Sequence, residues 1–300
     1  MGSLLFIIYL NDLPYGFQRE NKPVIYADDV SVILTASNET ELKLQISQTL
    51  NYMTEWFSVN GLSMNMDKTN IMKFSPSNRR NNNFQFMHHS KLLIAANNTK
   101  FLGLELDKHV NWKSHIKKIL PRLSGACYVI RRLYSSCDIN TLRMIYFGYF
   151  HSIMEYGIMF WGASSESNRI LLQQKRIIRV MSGSSRRTPC KPLFQKLKIL
   201  TLTSLYVFSM MRFLLSNLDK FTFSSSVHSF NTRQRLKLYK PVAHLKMYQC
   251  SPYYNCIKIY NKLPDALVSL ITNKKQFLSK LKEYLVDRPY YTLQEFMNAQ

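Results

Sequence analysis

The sequence predicts an α+β fold, in which a mixed unit with a mainly antiparallel sheet, ending near residue 108, is followed by an all-helical part. Three observations carry this expectation. Short β-rich runs gather in the first hundred residues, at 24–27 and 30–34 among others. From Trp112 onward, apolar residues recur at helical spacing through long segments. The charge changes at the same place: residues 1–108 hold 10 Lys+Arg and 10 Asp+Glu, whereas 109–300 hold 30 and 8, so the second segment carries the whole net charge of +22.

Taken in order, the apolar run 4–10 fits a helix or a strand, and Asn11-Asp12-Leu13-Pro14 ends it. The runs 24–27 and 30–34 meet at Asp28-Asp29, which predicts a hairpin with acidic residues at a tight turn between buried strands. A helix follows with Asn38 as its cap and Glu41 completing a capping box, and it presents Leu42, Ile46, Leu50, Met53 and Phe57 on one face. Asn60-Gly61 stops it. Residues 62–65 and 71–74 read as strands around Asp67-Lys68-Thr69, residues 77–83 as a polar loop, and residues 101–106 as the end of another β stretch.

In the helical part, Trp112, Ile116, Ile119, Leu123, Cys127 and Ile130 form one apolar stripe. Leu142, Ile145, Tyr149, Ile153 and Tyr156 form a second, and residues 170–181 a third. Short connections predict an antiparallel bundle. Residues 182–192, with Gly183, Pro189 and Pro192, read as a linker, which divides the chain into 1–108, 109–182 and 183–300. Beyond it come a helix at 200–215, a polar loop at 224–232, a β-like stretch at 235–246 and helices at 253–262 and 274–286. No internal repeat is present.

With 46% hydrophobic residues, a chain of 300 can bury a sizeable core and two or three units are expected. The longest apolar candidate, 144–161, contains His151 and Glu155 and reads as a buried helix, so no membrane span is expected. No basic segment precedes residues 4–10 and no small-residue cleavage site follows them. An intracellular, non-secreted protein of the nucleus or cytoplasm is therefore expected. Five cysteines without a CxxC pair argue against a disulfide framework, and His244, Cys250 and Cys256 match no zinc spacing. Basic residues spread over many segments with Tyr and Phe between them favour a polyanion over a membrane surface.

The chemistry concentrates at Tyr26-Ala27-Asp28-Asp29. Adjacent carboxylates on a turn should face a cation or solvent, and hard oxygen ligands suit magnesium. Asp is also common in turns for conformational reasons alone. The sequence resembles the reverse transcriptases of non-LTR (LINE-type) retrotransposons in four blocks that keep their order and spacing. These are residues 2–14, Tyr26-Ala27-Asp28-Asp29, residues 61–69 from Gly61-Leu62 to Lys68-Thr69, and Phe101-Leu102-Gly103. The likeness continues through Leu106-Asp107, Trp112 and His115, Glu155-Tyr156-Gly157, Trp161-Gly162 and Asn261-Lys262-Leu263-Pro264.

The resemblance implies a partial polymerase palm over 1–108, a helical thumb over 109–182 and a basic, mostly helical C-terminal region over 183–300. It implies Asp28 as a ligand of Mg2+ and Asp29 as a less directly coordinating neighbour, with Tyr26 under the incoming nucleotide and primer end. Lys68 would lie near the pyrophosphate of the deoxynucleoside triphosphate, or else be a solvated lysine beside Asp67. Gly103 belongs to a turn that positions the primer strand, or to a plain hairpin. The family's palm draws a further aspartate from an upstream strand, and the chain starts after that point, after the Gln-Gly-Ser stretch and after the fingers and endonuclease. Ser3 stands where the family usually has proline. Asp12 reads as part of a helix end rather than a substitute carboxylate. Loss of preorganised charge stabilisation commonly costs ~10²–10³-fold in rate per group, so the expectation is an RNA-directed DNA polymerase segment that is inactive alone, or a non-catalytic nucleic-acid-binding remnant. Lys113, Lys117, Lys118, Arg122, Arg131 and Arg132 on the first long helix of this part, Lys175, Arg176 and Arg179 on the third, and Arg186-Arg187 are the candidates for gripping an RNA template with its DNA primer or the RNA–DNA hybrid.

Overall fold

The fold is taken from a computed structural model, which describes residues 2–75, 84–88, 91–227 and 236–299. The polar loop expected at 77–83 lies outside them. Two compact units result, Met1–Thr99 and Lys100–Gln300.

In the first unit, the ambiguous opening run is a helix, α1 (Gly2–Tyr9), apolar on all sides. Such a helix is normally buried, yet Leu4, Leu5, Ile7 and Ile8 are each more than half exposed. A short 3-10 turn, Leu13–Gly16, follows. Strands β1 (Lys22–Tyr26) and β2 (Asp29–Ile33) form an antiparallel pair. Helix α2 (Glu39–Val59) starts where expected: the Asn38 side chain accepts from the Glu41 N–H at 2.8 Å, and the Glu41 carboxylate accepts from the Ser37 N–H at 3.0 Å. Its Ile46 and Leu50 pack on Phe84, Phe86 and Leu93 from the ribbon of β3 (Gln85–His88) and β4 (Lys91–Ile94).

Residues 62–65 and 71–74 are not the strands that their composition suggests. Asn65 folds the chain back there, its side chain accepting from the N–H groups of Asp67 and Lys68, and the second segment is tied to its neighbours by the Ala96 N–H to Ile71 C=O bond and by Lys73, which pairs with Glu39 at 3.0 Å. Strands β5 (Asn98–Phe101) and β6 (Leu104–Asp107) make a third ribbon at the boundary. The expected sheet is thus three separate two-stranded ribbons among the described residues.

The second unit has one core, running from Leu104 to Phe296. Its first helix is set by a buried carboxylate. Asp107 accepts from the N–H of His109 at 3.1 Å, of Asn111 at 3.1 Å and of Trp112 at 2.8 Å. That clamp holds Val110 and Trp112 at positive φ and aims the chain into α3 (Lys113–Leu133). Ile116, Ile119, Leu123 and Ile130 then point into the core, as the first stripe predicts, but Ala126 is buried where the stripe has Cys127, which is only half-buried.

The second stripe differs. α4 (Ile139–Ile145) runs into a π-helical turn, Tyr146–His151, and then α5 (Ser152–Glu155), and the buried line is Leu142, Tyr146, Phe150 and Met154, while Tyr149 and Tyr156 stay exposed. Steps of four residues drift about 40° each around an α-helix. The wide π turn takes up that drift and keeps four bulky side chains on one face.

After α6 (Ile158–Trp161), α7 (Ser167–Met181) packs along α3. Residues 182–192 are a tight reversal rather than a linker: Gly183 sits at φ 60°, the Ser184 N–H bonds the Arg179 carbonyl at 2.9 Å, and Pro192 opens α8 (Lys191–Leu197). The segments 109–182 and 183–300 therefore share a core.

α9 (Leu202–Ser216) is almost wholly buried and leads to the short α10 (Ser224–Val227). Of the β-like stretch at 235–246, residue 235 is not described, and the rest holds a single bridge, Phe223 to Leu238, before α11 (Lys246–Gln249). α12 (Pro252–Tyr260), α13 (Asp265–Val268), α14 (Lys274–Asp287) and α15 (Leu293–Asn298) complete the unit. Among the described residues no single helix is long and apolar enough to cross a membrane. The bent pair of α8 and α9 passes by length and composition only.

Replacing Asp107 with Ala strands buried N–H groups that now bond a carboxylate. It should cost about 2–3 kcal/mol and lower the melting temperature, measured by circular dichroism; an unchanged melt contradicts the clamp. Burial lowers the pKa of His115 and His151, outweighing the opposing effects of Glu105 and Glu155, and His151 Nδ1 has no hydrogen-bond partner among the described residues. Both are therefore held neutral in the fold and take up protons on unfolding below their ordinary value near 6.5. Stability should be full above that value and fall below it, by up to ~1.4 kcal/mol per pH unit for each histidine. Melts recorded from pH 7 to 5 check this, and a flat profile contradicts it.

Candidate functional site

In the first unit the β1–β2 register runs from Lys22 opposite Ile33 to Tyr26 opposite Asp29, leaving Ala27 and Asp28 as a two-residue turn. Ala27 takes φ 52°, a left-handed conformation that hairpin turns usually give to Gly or Asn. A non-glycine residue there costs ~1–3 kcal/mol, and such positions cluster where function fixes the backbone. Alternation along the strands puts Val24, Tyr26 and Asp29 on one face. Tyr26, Asp28 and Asp29 are all exposed, Tyr26 by 64%. The hairpin exists, but its strands are half open to solvent, not buried as the sequence suggests: no third strand pairs with them among the described residues.

Magnesium takes hard oxygens in near-octahedral geometry and is usually held by one or two carboxylates together with phosphate and water. Asp28 and Asp29 have that chemistry. Among the described residues, no three His, Cys, Asp or Glu side chains converge.

Lys68 lies in the turn after Asn65, exposed, its N–H bonded to the Asn65 carbonyl and side chain. It is not paired with Asp67, whose carboxylate binds Lys91. That ammonium holds the Asp67 pKa below its usual range.

In the second unit, Leu102 and Gly103 form the β5–β6 turn, both at positive φ. The Tyr156 hydroxyl donates to the Leu102 carbonyl, and a Cβ on Gly103 would meet the Tyr156 ring at 3.2 Å. The Trp161 indole N–H in turn bonds the Tyr156 carbonyl at 3.0 Å. Three of the sequence blocks, around Gly103, Tyr156 and Trp161, thus form one hydrogen-bonded assembly.

The basic candidates separate into committed and free groups. Lys118 pairs with Glu105 at 2.6 Å. Lys175 lies over the Tyr291 ring at 3.5 Å, and burial lowers its pKa. The Arg179 Nε–H bonds the Thr188 carbonyl at 2.9 Å. Lys113, Lys117, Arg122, Arg131, Arg132 and Arg176 are exposed and make no ion pair among the described residues. Arg186 and Arg187 are exposed on the reversal.

Sequence reasoning missed Asp107 and Tyr156 as organising residues, and it missed Tyr128, which stands beside Arg131. The signal for Tyr128 was its three-residue spacing from Arg131 on a helix.

Residues 1–106 match the family model described as reverse transcriptase (RNA-dependent DNA polymerase). The chain is 25% identical over 193 residues to a probable RNA-directed DNA polymerase from transposon BS of Drosophila melanogaster, covering 61% of this chain and 21% of that protein. It is 24% identical over 209 residues to the corresponding protein of transposon X-element from the same organism, covering 67% of this chain and 23% of the relative. The chain thus spans less than a quarter of the length of these relatives. No solved structure matches. With the family model lying on the unit that holds Asp28 and Asp29, and transposon polymerases among its relatives, the chain is similar over its first third to reverse transcriptases and over about two thirds of its length to RNA-directed DNA polymerases of transposons.

Proposed function

We propose that the chain supplies the metal-facing hairpin and the nucleic-acid grip of an RNA-directed DNA polymerase, and that it does not polymerise by itself. The observation that carries this reading is the exposed pair Asp28 and Asp29 at a strained hairpin turn, within the residues that match the family. Asp28 would hold a magnesium ion, with Asp29 beside it, and Tyr26, on the same strand face as Asp29, would support the primer end and the incoming deoxynucleotide. Lys68, without an acidic partner among the described residues, is available to the leaving pyrophosphate. Magnesium, when bound, supplies charge neutralisation at the transferring phosphate.

Two divalent ions facing two carboxylates keep half of their charge uncompensated. The open edges of β1 and β2 offer the place for a further strand that carries another aspartate. Until such a strand is present, the rate deficit is on the order of 10²–10³-fold or more. Purified chain should extend an RNA-templated DNA primer with magnesium no faster than Asp28→Asn does; processive synthesis by the unmodified chain overturns the inactivity.

Binding without catalysis is favoured by the charge alone, +22 beyond residue 108. The free cations of α3 and α7 support a grip on the sugar–phosphate backbone of a template–primer hybrid. Each phosphate neutralised contributes about −0.9 to the slope of log K against log salt on duplex and about −0.7 on single strands. Anisotropy titrations across salt concentrations should give a slope of several units. Binding insensitive to salt would remove the assignment.

A further inference from the structure

A groove of about 190 Å³ lies between α3 and α7, lined by Ser124, Cys127, Tyr128 and Arg131 from one helix and by Gln173 and Arg176 from the other. Pockets that enclose drug-sized ligands run to roughly 300–1,000 Å³, so this one suits a group as small as a phosphate. Among the described residues, no acidic side chain lines it. Neither guanidinium has a carboxylate partner among the described residues, and Arg176 reaches only the Gln173 side chain, at 3.5 Å. Both act electrostatically on Cys127, opposing the burial that raises its thiol to about 11, so two like charges border one small space. Tyr128 stands at the rim, 62% exposed.

Position along the helix adds a second argument. At about 100° per residue, Lys113, Lys117, Ser124, Tyr128 and Arg131 fall within about 60° of rotation on α3. They form a strip that ends in the groove. Ordinary exposed arginines would need no aligned strip, no acid-free groove and no flat aromatic ring beside them.

Resting on the nucleic-acid reading above, we infer that Arg131 and Arg176 together grip one phosphate of an unpaired nucleic-acid strand while the adjoining base stacks on Tyr128. Guanidinium groups present paired donors that match phosphate oxygens. Stacking on an aromatic ring tolerates any base.

The test titrates the full chain against a fluorescent uridylate homopolymer and a thymidylate homopolymer at several salt concentrations. The double variant Arg131→Gln/Arg176→Gln should weaken binding to both and reduce the salt slope by about 0.7, the contribution of one single-strand phosphate. Tyr128→Ala should weaken binding roughly tenfold with the slope unchanged, whereas Tyr128→Phe should bind as the unmodified chain does. Lys274→Gln/Lys275→Gln, an equal loss of charge at the start of α14, should change binding by less than about twofold.

If the Arg131/Arg176 variant keeps its melting temperature and binds with the original affinity and slope, the subsite is wrong while the broader reading stands. An equal loss in the Lys274/Lys275 variant also overturns it. If inorganic phosphate saturates the groove at fixed ionic strength and the homopolymers do not compete, it is a free-anion site and the inference fails. If the unmodified chain shows no salt-dependent binding, the nucleic-acid reading falls and takes the subsite with it.

Discussion

The second unit depends on the carboxylate of Asp107. Buried at the end of β6, it can remain there only because backbone N–H groups from His109, Asn111 and Trp112 converge on it. That convergence forces two non-glycine residues, Val110 and Trp112, into the left-handed region and fixes the direction in which α3 leaves the ribbon. The Trp112 side chain then packs beside His115, and His115 lies 6.0 Å from Trp161, ring centre to ring centre. Helix α3 carries both the core stripe and the strip of free cations, so one hydrogen-bonded turn sets the angle of the surface on which the proposed grip relies.

Elements whose cause is local could be read from the sequence. Asn38 and Glu41 cap α2 through atoms within a few residues of each other, and the stripe on α3 follows from spacing alone. The hairpin needed nothing beyond two β-rich runs and their junction, although its turn is Ala27-Asp28, one residue earlier than that junction, with Asp29 already in β2. What could not be read depends on distant partners. Among the described residues, the strand-like residues 71–74 pair with no strand edge. The Gly183 and Pro192 signals that suggested a linker are the chemistry of a reversal, because Arg179 reaches across to Thr188 and closes it. Lys175 looked like one more surface cation, and only the fold brings Tyr291 under it.

The candidate site shows the same division. Residue types at Tyr26, Asp28 and Asp29 were legible, and so was the exposure of the two carboxylates to solvent. The open state of the strands was not, since burial is decided by what packs on them. Among basic residues, sequence gave the charge but not its availability: an ion pair removes Lys118, a ring removes Lys175, a carbonyl removes Arg179, and Arg131 and Arg176 are left facing each other across a groove.

The π turn at Tyr146–His151 has a consequence for how the chain tolerates change in length. Such a turn holds one residue more than the α-helical path it interrupts. Losing a single residue between Tyr146 and Phe150 would restore ordinary pitch and leave both flanks in register, because the step of four between those two side chains becomes a step of three and Leu142, Tyr146, Phe150 and Met154 stay on one side of the helix. The regular helices α3 and α7 have no such spare residue, and a one-residue deletion within either would turn the rest of its buried stripe by about 100° away from the core.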